Sequence, residues 1–345
     1  MKKIAILFGS VSFEHEISIV SAIAMKKVLN NELIYIFIDK NREFYHIPTD
    51  TITSKVFSSG EYKKCDKLFL TQDGFATKGL FGSKQLQFDT LINLVHGADG
   101  EDGTLAGLLK FYHIPFIGPR VDACVVSFDK FVTKSYAQNC DVKTLSYSYF
   151  HKDQQIQIDS FPCIIKPTKL GSSLGISIVK DNSELSYALD TAFEFDDTII
   201  VEPFIQDVKE YNLAGTKIDG KFVFSIVEEP SKEEFLDFEK KYLDFNRTSQ
   251  VNEANIDEDL VSKLKDNFIK IYNNTFDGAI IRCDFFVIEN EVYLNEINPI
   301  PGSMANYLFD DFNKLVNDLA NFLPKEKIIN INYEYVNQIQ KAKGK

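Results

Sequence analysis

The spacing of hydrophobic residues near the N-terminus predicts a strand, a helix and a second strand. Residues 3–8 are an apolar run of strand length. Apolar side chains then recur at helical spacing through residues 17–28, and residues 33–38 form a second apolar run. Strands and helices in this order are the unit from which sheets covered by helices are built.

A further predicted strand, residues 88–95, runs into a glycine-rich turn and a helix. The helix is predicted over residues 105–111, with Asp102 or Thr104 as its N-cap. Together with the first unit, these elements predict a doubly wound α/β domain over residues 1–120. Ligands of such domains bind at the loops that follow the strands.

The middle of the chain predicts a second unit, residues 121–205, of mixed α+β type. Its most distinctive feature is a Gly-Ser loop, residues 171–175, between two strands. The predicted elements are a helix from about Asp129 to Asn139, strands at 161–167 and 176–179, a helix at 183–193 and a strand at 198–205.

The remaining residues predict a third α+β unit, 206–325, and a C-terminal tail, 326–345. The third unit contains a charged insertion with interleaved aromatic residues at 229–255. A solvated loop or mobile lid with no specific role and a lid that serves the site are about equally good interpretations of this insertion. A helix is predicted over 257–273, and a β-hairpin follows it.

The hairpin carries the most informative polar side chains. A three-residue loop at 289–291 places Asp284 directly opposite Glu296, where cross-strand Cβ atoms lie about 4.5–5.5 Å apart. Because side chains alternate between the two faces of a strand, Arg282 shares the face of Asp284, and Asn298 shares that of Glu296. Two facing carboxylates repel each other unless a cation lies between them. Oxygen ligands suit a hard cation such as Mg²⁺.

Composition excludes several classes of protein. The 345 residues are 44% hydrophobic and carry a net charge of −12, which is typical of a globular chain and argues against a nucleic-acid-binding surface. Five cysteines without a Cys-x-x-Cys pair are expected to remain thiols in a reducing compartment. No apolar stretch predicts a membrane span or a signal peptide, so we expect a cytoplasmic protein.

Two lysines have no simple structural explanation. Lys166 lies inside an apolar strand and needs an anionic partner if it is buried. Lys130 lies at a helix N-terminus, where the helix dipole disfavours a cation, so we expect it to serve an anion elsewhere. The Gly-Ser loop matches no phosphate-binding fingerprint and leads into a strand, so by itself it predicts only a hairpin turn.

Several acidic residues, by contrast, have ordinary interpretations. Glu14 and Glu16 complement the N-terminal dipole of the first helix. Glu202, at the end of an apolar strand, is most simply a solvated strand terminus, and Glu210 is most simply a surface charge. Only the motifs around these residues indicate another role.

Eight motifs, taken in order, resemble those of the ATP-grasp superfamily and in particular of the D-alanine–D-alanine ligase family. They extend over about residues 3–320. The motifs are Gly-x-x-Ser-x-Glu-x-Glu-x-Ser (9–18), His-Gly-x-x-Gly-Glu-Asp-Gly-Thr (96–104), Asp-Lys (129–130), Ile-Lys-Pro with Gly-Ser-Ser-x-Gly (165–175), Val-Glu-x-Phe-Ile (201–205), Lys-Tyr (241–242), Arg-x-Asp-Phe (282–285) and Asn-Glu-x-Asn-Pro with Pro-Gly (295–302).

The resemblance implies an N-terminal α/β domain followed by two ATP-grasp subdomains, and an ADP-forming ligase. ATP would phosphorylate the carboxylate of one D-alanine, and the amine of a second would displace phosphate to give D-alanyl-D-alanine for peptidoglycan synthesis. Two alternatives remain open: a ligase with D-serine or D-lactate as acceptor, and a nucleotide-binding sensor without turnover. A homodimer is also implied.

The family pattern assigns a role to each motif residue. Two Mg²⁺ ions, or Mn²⁺, would bind at the hairpin, Glu14 would hold the ammonium of the first D-alanine, and Ser172, Tyr242 and Glu14 would form a hydrogen-bonded set. The implied ATP contacts are Lys130, Lys166, Gly171, Ser172, Ser173, Glu202, Pro203, Ile205 and Glu210; the metal ligands are Asp284, Glu296 and Asn298; the catalytic set is Glu14, Ser172, Tyr242, Arg282 and Gly302; and the substrate contacts are Glu14, Lys241, Tyr307 and Leu308.

Three departures from the family pattern affect these roles. Glu202 and Glu210 are eight residues apart instead of seven, and the family's intervening glycine is absent. Pro203 stands where lysine or another polar residue is usual, although its carbonyl is still available to adenine. Tyr307 replaces the serine that meets the acceptor carboxylate, so its phenol, Ser303 or Asn306 would have to supply that hydrogen bond.

Overall fold

The strands of the described residues form three separate sheets. The computed structural model describes residues 2–79, 82–230, 251–273, 275–325, 327 and 329–343. The strands are β1 (Lys3–Gly9), β2 (Glu32–Ile38), β3 (Phe44–Ile47), β4 (Asp66–Thr71), β5 (Gly74–Gly79), β6 (Gly82–Gln85), β7 (Thr90–Asn93), β8 (Phe116–Ile117), β9 (Ser148–His151), β10 (Cys163–Pro167), β11 (Ser177–Val179), β12 (Thr198–Pro203), β13 (Lys209–Ile218), β14 (Lys221–Glu228), β15 (Ile281–Ile288) and β16 (Glu291–Asn298).

The helices lie between and after these strands. They are α1 (His15–Val28), α2 (Ser54–Ser58), α3 (Thr104–Phe111), α4 (Val121–Phe128), α5 (Lys130–Asn139), α6 (Leu185–Phe193), α7 (Glu258–Tyr272), α8 (Phe312–Leu319) and α9 (Glu334–Lys343), with 3-10 helices at Glu61–Lys64 and Gly302–Leu308. No helix among the described residues is both long and apolar enough to span a bilayer.

The N-terminal sheet confirms the predicted doubly wound α/β fold. Its order is β6-β5-β4-β3-β2-β1-β7-β8, with β2, β1, β7 and β8 parallel and the other neighbours antiparallel. Strand β1 is buried on both faces: Ile6 and Phe8 pack in one core with α1 residues, whereas Ala5 and Leu7 pack in another with α3 residues. Helices therefore cover both sides of the sheet, and the loops after β1 and β7 meet at one edge.

Two details of the N-terminal prediction are wrong. Strand β7 is shorter than the predicted 88–95. The N-cap of α3 is Gly103, in place of Asp102 or Thr104. The Asp102 carboxylate instead accepts hydrogen bonds from the backbone N–H groups of Thr104 at 2.8 Å and Asp99 at 3.0 Å, so it shapes the turn before the helix.

The second and third sheets have the orders β11-β10-β12-β9 and β14-β13-β15-β16. The predicted strand-loop-strand is confirmed, because β10 and β11 pair antiparallel with Cys163 opposite Val179. Helix α5 begins close to its predicted start, and the Asp129 side chain caps it by accepting from the N–H groups of Phe131 and Val132. Helix α4 was not predicted.

The predicted hairpin forms, but with a different turn. Two residues, Glu289 and Asn290, make the turn with φ of 49° and 67°, so the predicted three-residue loop is wrong. A register shift between Asp284 and Phe285 offsets the missing residue, and Asp284 still pairs with Glu296. Arg282 likewise pairs with Asn298.

The segment after the hairpin returns to the N-terminal domain. The backbone N–H of Ser303 donates to Ser21 Oγ of α1 at 3.2 Å. Met304, Leu308 and α8 share one hydrophobic core with strand β1. The first and third units therefore share one core. The domain boundaries at 120, 205 and 325 stay predictions.

Helix α7 provides a test of local stability outside the polar cavity. The Asp257 side chain caps the helix by accepting from the N–H of Leu260 at 2.8 Å. Replacing Asp257 with alanine should lower the free energy of unfolding by about 1 kcal/mol, measured by urea titration with circular dichroism. Asp257→Asn should keep most of the stability, since asparagine also caps helices; equal stability of both variants and the native protein would contradict this role.

Candidate active site

A cavity of about 420 Å³ lies where the three units meet. Its volume is within the range of small-molecule sites. The first unit contributes Glu14, His96 and Glu101; the second contributes Lys130, Lys166, Gly171, Ser172 and Ser173; and the third contributes Glu210, Arg282, Asp284, Glu296, Asn298, Gly302 and Tyr307. Most of the residues predicted for the site therefore line one space.

The hairpin side chains form a compact polar group on one wall. Arg282 donates two hydrogen bonds to the Asp284 carboxylate, from Nε to Oδ1 at 2.7 Å and from Nη2 to Oδ2 at 2.8 Å. The amide of Asn298 donates to Asp284 Oδ2 at 2.9 Å. Burial raises the pKa of Asp284 more than Arg282 lowers it, and the neighbouring charge of Glu296 adds to the upward shift. The pair of carboxylates thus holds negative charge at an energetic cost.

The chemistry of this donor set fits a hard divalent cation. Asp284 and Glu296 lie opposite each other in the register, and Asn298 adds an amide beside them. Within the described residues, no three His, Cys, Asp or Glu side chains cluster as a metal site. Two carboxylates and an amide oxygen would leave coordination positions for phosphate oxygens, as is usual for Mg²⁺ bound with a nucleotide.

Lys166 has the anionic partner that its burial demands. Its Nζ lies 2.8 Å from Glu202 Oε2, and both side chains are buried. The interpretation of Glu202 as a solvated strand terminus is wrong, because only 3% of this residue is exposed. Strands β10 and β12 are neighbours in the sheet, which brings the two residues together.

A second buried lysine, Lys134, reaches the other oxygen of the same carboxylate. Its Nζ lies 2.5 Å from Glu202 Oε1. Burial favours the neutral form of Glu202, but Lys166 and Lys134 outweigh it and lower its pKa to about 2. Glu202 is therefore ionised at neutral pH. One feature of the sequence points to Lys134, since it lies one helical turn after Lys130.

Lys130 lines the same cavity. Its ammonium donates to the carbonyl oxygen of Leu170 at 2.6 Å, directly before the Gly-Ser loop. Burial lowers the pKa of Lys130, and the charge of Glu296 opposes this shift. In the loop itself, Ser172 and Ser173 have φ of 54° and 60°, a conformation that turns the chain sharply.

Glu14 is held between the first and second units. The hydroxyl of Ser172 donates to Glu14 Oε1, which confirms this part of the predicted hydrogen-bonded set. A side chain at Gly171 would begin 3.0 Å from the same oxygen, and one at Gly97 would begin 2.7 Å from Glu14 Oε2. Two glycines thus make room for the carboxylate. Gly97 was part of a recognised motif but was given no role.

Tyr307, the departure from the family pattern, lines the cavity beside Arg282. Arg282 Nη1 donates to its phenol oxygen at 3.3 Å. Burial raises the pKa of Tyr307 to about 12, so the phenol stays protonated at neutral pH and can donate a hydrogen bond. The backbone at 303–305 has positive φ, which turns Gly302 and Tyr307 toward the same space.

The remaining predicted residues lie in different places. Ile205 and Glu210 line the cavity, whereas Pro203 is exposed and Leu308 belongs to the hydrophobic core. Lys241 and Tyr242 lie outside the described residues. His96 and Glu101 are among the cavity residues for which the sequence predicted no role, and the motif that contains both was their only signal.

Comparisons with known proteins agree with this geometry. The model of the D-ala D-ala ligase N-terminus matches residues 3–119, and that of the D-ala D-ala ligase C-terminus matches residues 131–314. The chain belongs to the D-alanine–D-alanine ligase family. It is 59% identical over 345 residues to a D-alanine--D-alanine ligase of Sulfurovum sp. and 57% identical over 343 residues to that of Wolinella succinogenes, with 99% of each chain covered in both cases.

A solved structure supports the same assignment of fold. The crystal structure of D-Alanine-D-Alanine Ligase from Helicobacter pylori is 49% identical, with a TM-score of 0.86, and the match covers 95% of this chain and 100% of that one. Membership of the ligase family makes the protein an enzyme of ligase type. The ATP-grasp architecture expected from the motifs is thereby confirmed.

His96 provides a test of the electrostatics of the cavity. One ring nitrogen, Nδ1, lies 3.0 Å from the carbonyl oxygen of Leu94, and burial lowers the pKa of His96 to about 4. The ordinary value is about 6.5. The neutral ring therefore stabilises the fold above pH 6.5, and this contribution is lost as the pH falls toward 4.

We expect the NMR signal of His96, assigned by its absence in His96→Gln, to show no titration between pH 8 and 5. The free energy of unfolding should also fall less steeply in His96→Gln than in the native protein between pH 6.5 and 4.5. A His96 midpoint near pH 6.5 would contradict the buried neutral state.

Proposed function

We propose that this protein uses ATP to join two D-alanine molecules into D-alanyl-D-alanine, with release of ADP and phosphate. The observation that carries the proposal is the union of three groups in one cavity: the facing carboxylates Asp284 and Glu296, the lysines Lys130 and Lys166, and the Glu14–Ser172 pair. These supply, in turn, charge for a metal-bound nucleotide, contacts for its phosphates, and an anchor for an amino acid.

On the nucleotide side, the two lysines neutralise the phosphates. Transfer of a γ-phosphoryl group depends mainly on positioning and charge neutralisation, so no protein nucleophile is needed. The loop at 171–173 covers the phosphates with backbone N–H groups and hydroxyls. The Pro203 carbonyl and Ile205 N–H hydrogen-bond adenine near Glu202, and Glu210 binds the ribose hydroxyls.

The metal positions are assigned to the hairpin. Asp284, Glu296 and Asn298 would hold two Mg²⁺ ions, or Mn²⁺ in their place. When bound, such ions neutralise charge on the phosphate oxygens during transfer. Arg282 keeps Asp284 oriented by its two hydrogen bonds, so the carboxylate faces the cavity in a fixed direction.

On the substrate side, Glu14 holds the ammonium of the first D-alanine. The carboxylate oxygen of this D-alanine attacks the γ-phosphorus of ATP, the bond from that phosphorus to the β-phosphate oxygen breaks, and ADP leaves an acyl phosphate. The neutral amine of the second D-alanine then attacks the acyl carbon and gives up one proton to the departing phosphate. An amide bond forms and phosphate leaves. Arg282 and the backbone N–H of Gly302 stabilise the oxyanion of the tetrahedral intermediate, a role in which loss of one donor typically costs about 2.7–4 kcal/mol.

The acceptor is held near the third unit. Tyr307, as a protonated phenol, donates to its carboxylate in place of the family's serine, and Leu308 contributes backbone contacts. Lys241 would pair with the same carboxylate, and Tyr242 would complete the set with Ser172 and Glu14. The product serves peptidoglycan synthesis in a bacterial cytoplasm, with the enzyme acting as a homodimer.

The activity is tested by ADP and phosphate release with different substrates. D-Alanine with ATP and Mg²⁺ should give release well above background and a dipeptide detectable by mass spectrometry. L-Alanine should give none, because inversion at Cα moves either the ammonium or the methyl group away from its contacts. Release with D-serine or D-lactate as acceptor but not with D-alanine would instead favour the alternative ligases, and no release with any would favour a sensor.

The metal assignment is tested by Glu296→Gln. Loss of one ligand charge should remove several kcal/mol of transition-state stabilisation and reduce phosphate release at least about a hundredfold. The exposed Glu291, in the same strand, gives a matched control as Glu291→Gln, which should keep its turnover. Undiminished turnover of the Glu296 variant, with a native circular dichroism spectrum, would refute the assignment.

A further inference from the structure

Lys134 is a buried charge that the proposed mechanism does not use. It lies on α5, one turn beyond Lys130, and its side chain is 2% exposed. Its ammonium lies 2.5 Å from Glu202 Oε1, although the approach is that of an ion pair and lacks the direction of a hydrogen bond. The ring of Tyr147 flanks it, with the ring centre 5.8 Å from Nζ.

Glu202 is held between two lysines, one on each oxygen. Lys166 takes Oε2 at 2.8 Å and also lines the cavity, whereas Lys134 takes Oε1 and does not line it. The three groups therefore form a row with Lys166 toward the cavity and Lys134 toward the interior. We call this row the Lys-Glu-Lys triad, defined as Lys134, Glu202 and Lys166.

The charge of the triad depends on Lys134. Two ammonium groups and one carboxylate leave a net charge of +1. Without Lys134, the carboxylate and Lys166 would cancel, and the wall of the cavity at this point would be neutral. Buried charges interact strongly because little solvent screens them. Removing one elementary charge from the triad therefore weakens the attraction of any anion beside Lys166.

The two lysines respond differently to their surroundings. Burial lowers the pKa of both, but for Lys166 the carboxylates of Glu202, Glu296 and Glu210 together outweigh burial and the net shift is upward. For Lys134 burial prevails, and the charges of Lys166 and Lys130 add to the downward shift. The repulsion among the three neighbouring lysines therefore appears at Lys134, as a lowered pKa.

We propose that Lys134 is a positioning residue for ATP: by sharing Glu202 with Lys166, it leaves the Lys166 ammonium with net positive charge for the nucleotide phosphates. The inference rests on the proposed nucleotide site. It assigns to Lys134 an effect on phosphate binding that is exerted through Glu202 and Lys166, without contact with the nucleotide.

The test compares two ligands that differ only in phosphates. In Lys134→Met, affinity for a non-hydrolysable ATP analogue should fall about tenfold or more, while affinity for adenosine should change less than twofold, as measured by calorimetry. KM for ATP should rise, and KM for D-alanine should stay within twofold. Lys134→Arg should restore most of the affinity, since it keeps the charge. Lys143→Met, at an exposed lysine, is the matched control.

A double variant separates charge from packing. Lys134→Met with Glu202→Gln removes both the Lys134 ammonium and the Glu202 carboxylate that neutralises Lys166. The Lys166 charge is then available again, so affinity for the ATP analogue should recover at least threefold relative to Lys134→Met. It also avoids an unpaired buried carboxylate, which keeps the comparison possible if the single variant does not fold. In that case the ratio of analogue affinity to adenosine affinity in the double variant should stay within threefold of the native ratio, because a change at the adenine contacts affects both ligands alike.

Three results would overturn the proposal: equal loss of ATP analogue and adenosine affinity, no loss of either, or no recovery in the double variant. Failure of the proposed function would look different. A native protein that binds ATP but makes no dipeptide would refute dipeptide synthesis and leave the Lys134 effect on phosphate affinity measurable.

Discussion

Neutralisation of buried charge is the constraint on which the whole cavity depends. A carboxylate or ammonium removed from water must find an opposite charge within a few ångströms. Arg282 meets this need for Asp284, and the two lysines meet it for Glu202. The charges that line the cavity are separated by sign, with carboxylates on the hairpin and ammonium groups on the second unit. A ligand with metal ions and phosphates fits this separation.

The fold keeps these groups together through contacts between distant parts of the chain. The kinked segment after β16 packs into the core of the N-terminal sheet, and it carries Gly302 and Tyr307 into the cavity. Hydrophobic packing therefore fixes the distance between the hairpin and the first helix. The polar residues do not have to supply that stability themselves, and they can be placed for chemistry.

Much of the fold and of the site could be predicted from local pattern. Buried strands, the Asp129 cap and the hairpin are all encoded by nearby residues, and Asp284 was correctly placed opposite Glu296. That register was right because two errors cancelled: the turn is one residue shorter than predicted, and a bulge adds one back. Glu202 was misinterpreted and Lys134 missed because both depend on which strands and helices become neighbours, which periodicity does not reveal.

The hydrogen bond from Ser172 to Glu14 has a thermodynamic consequence. It joins a loop of the second unit to the first helix of the N-terminal domain, so an occupant that orders the loop also fixes the carboxylate. Linkage then requires reciprocity: whatever factor the nucleotide adds to the affinity for the amino acid, the amino acid adds to the affinity for the nucleotide. The Ser172 hydroxyl is a contact through which such a coupling would act.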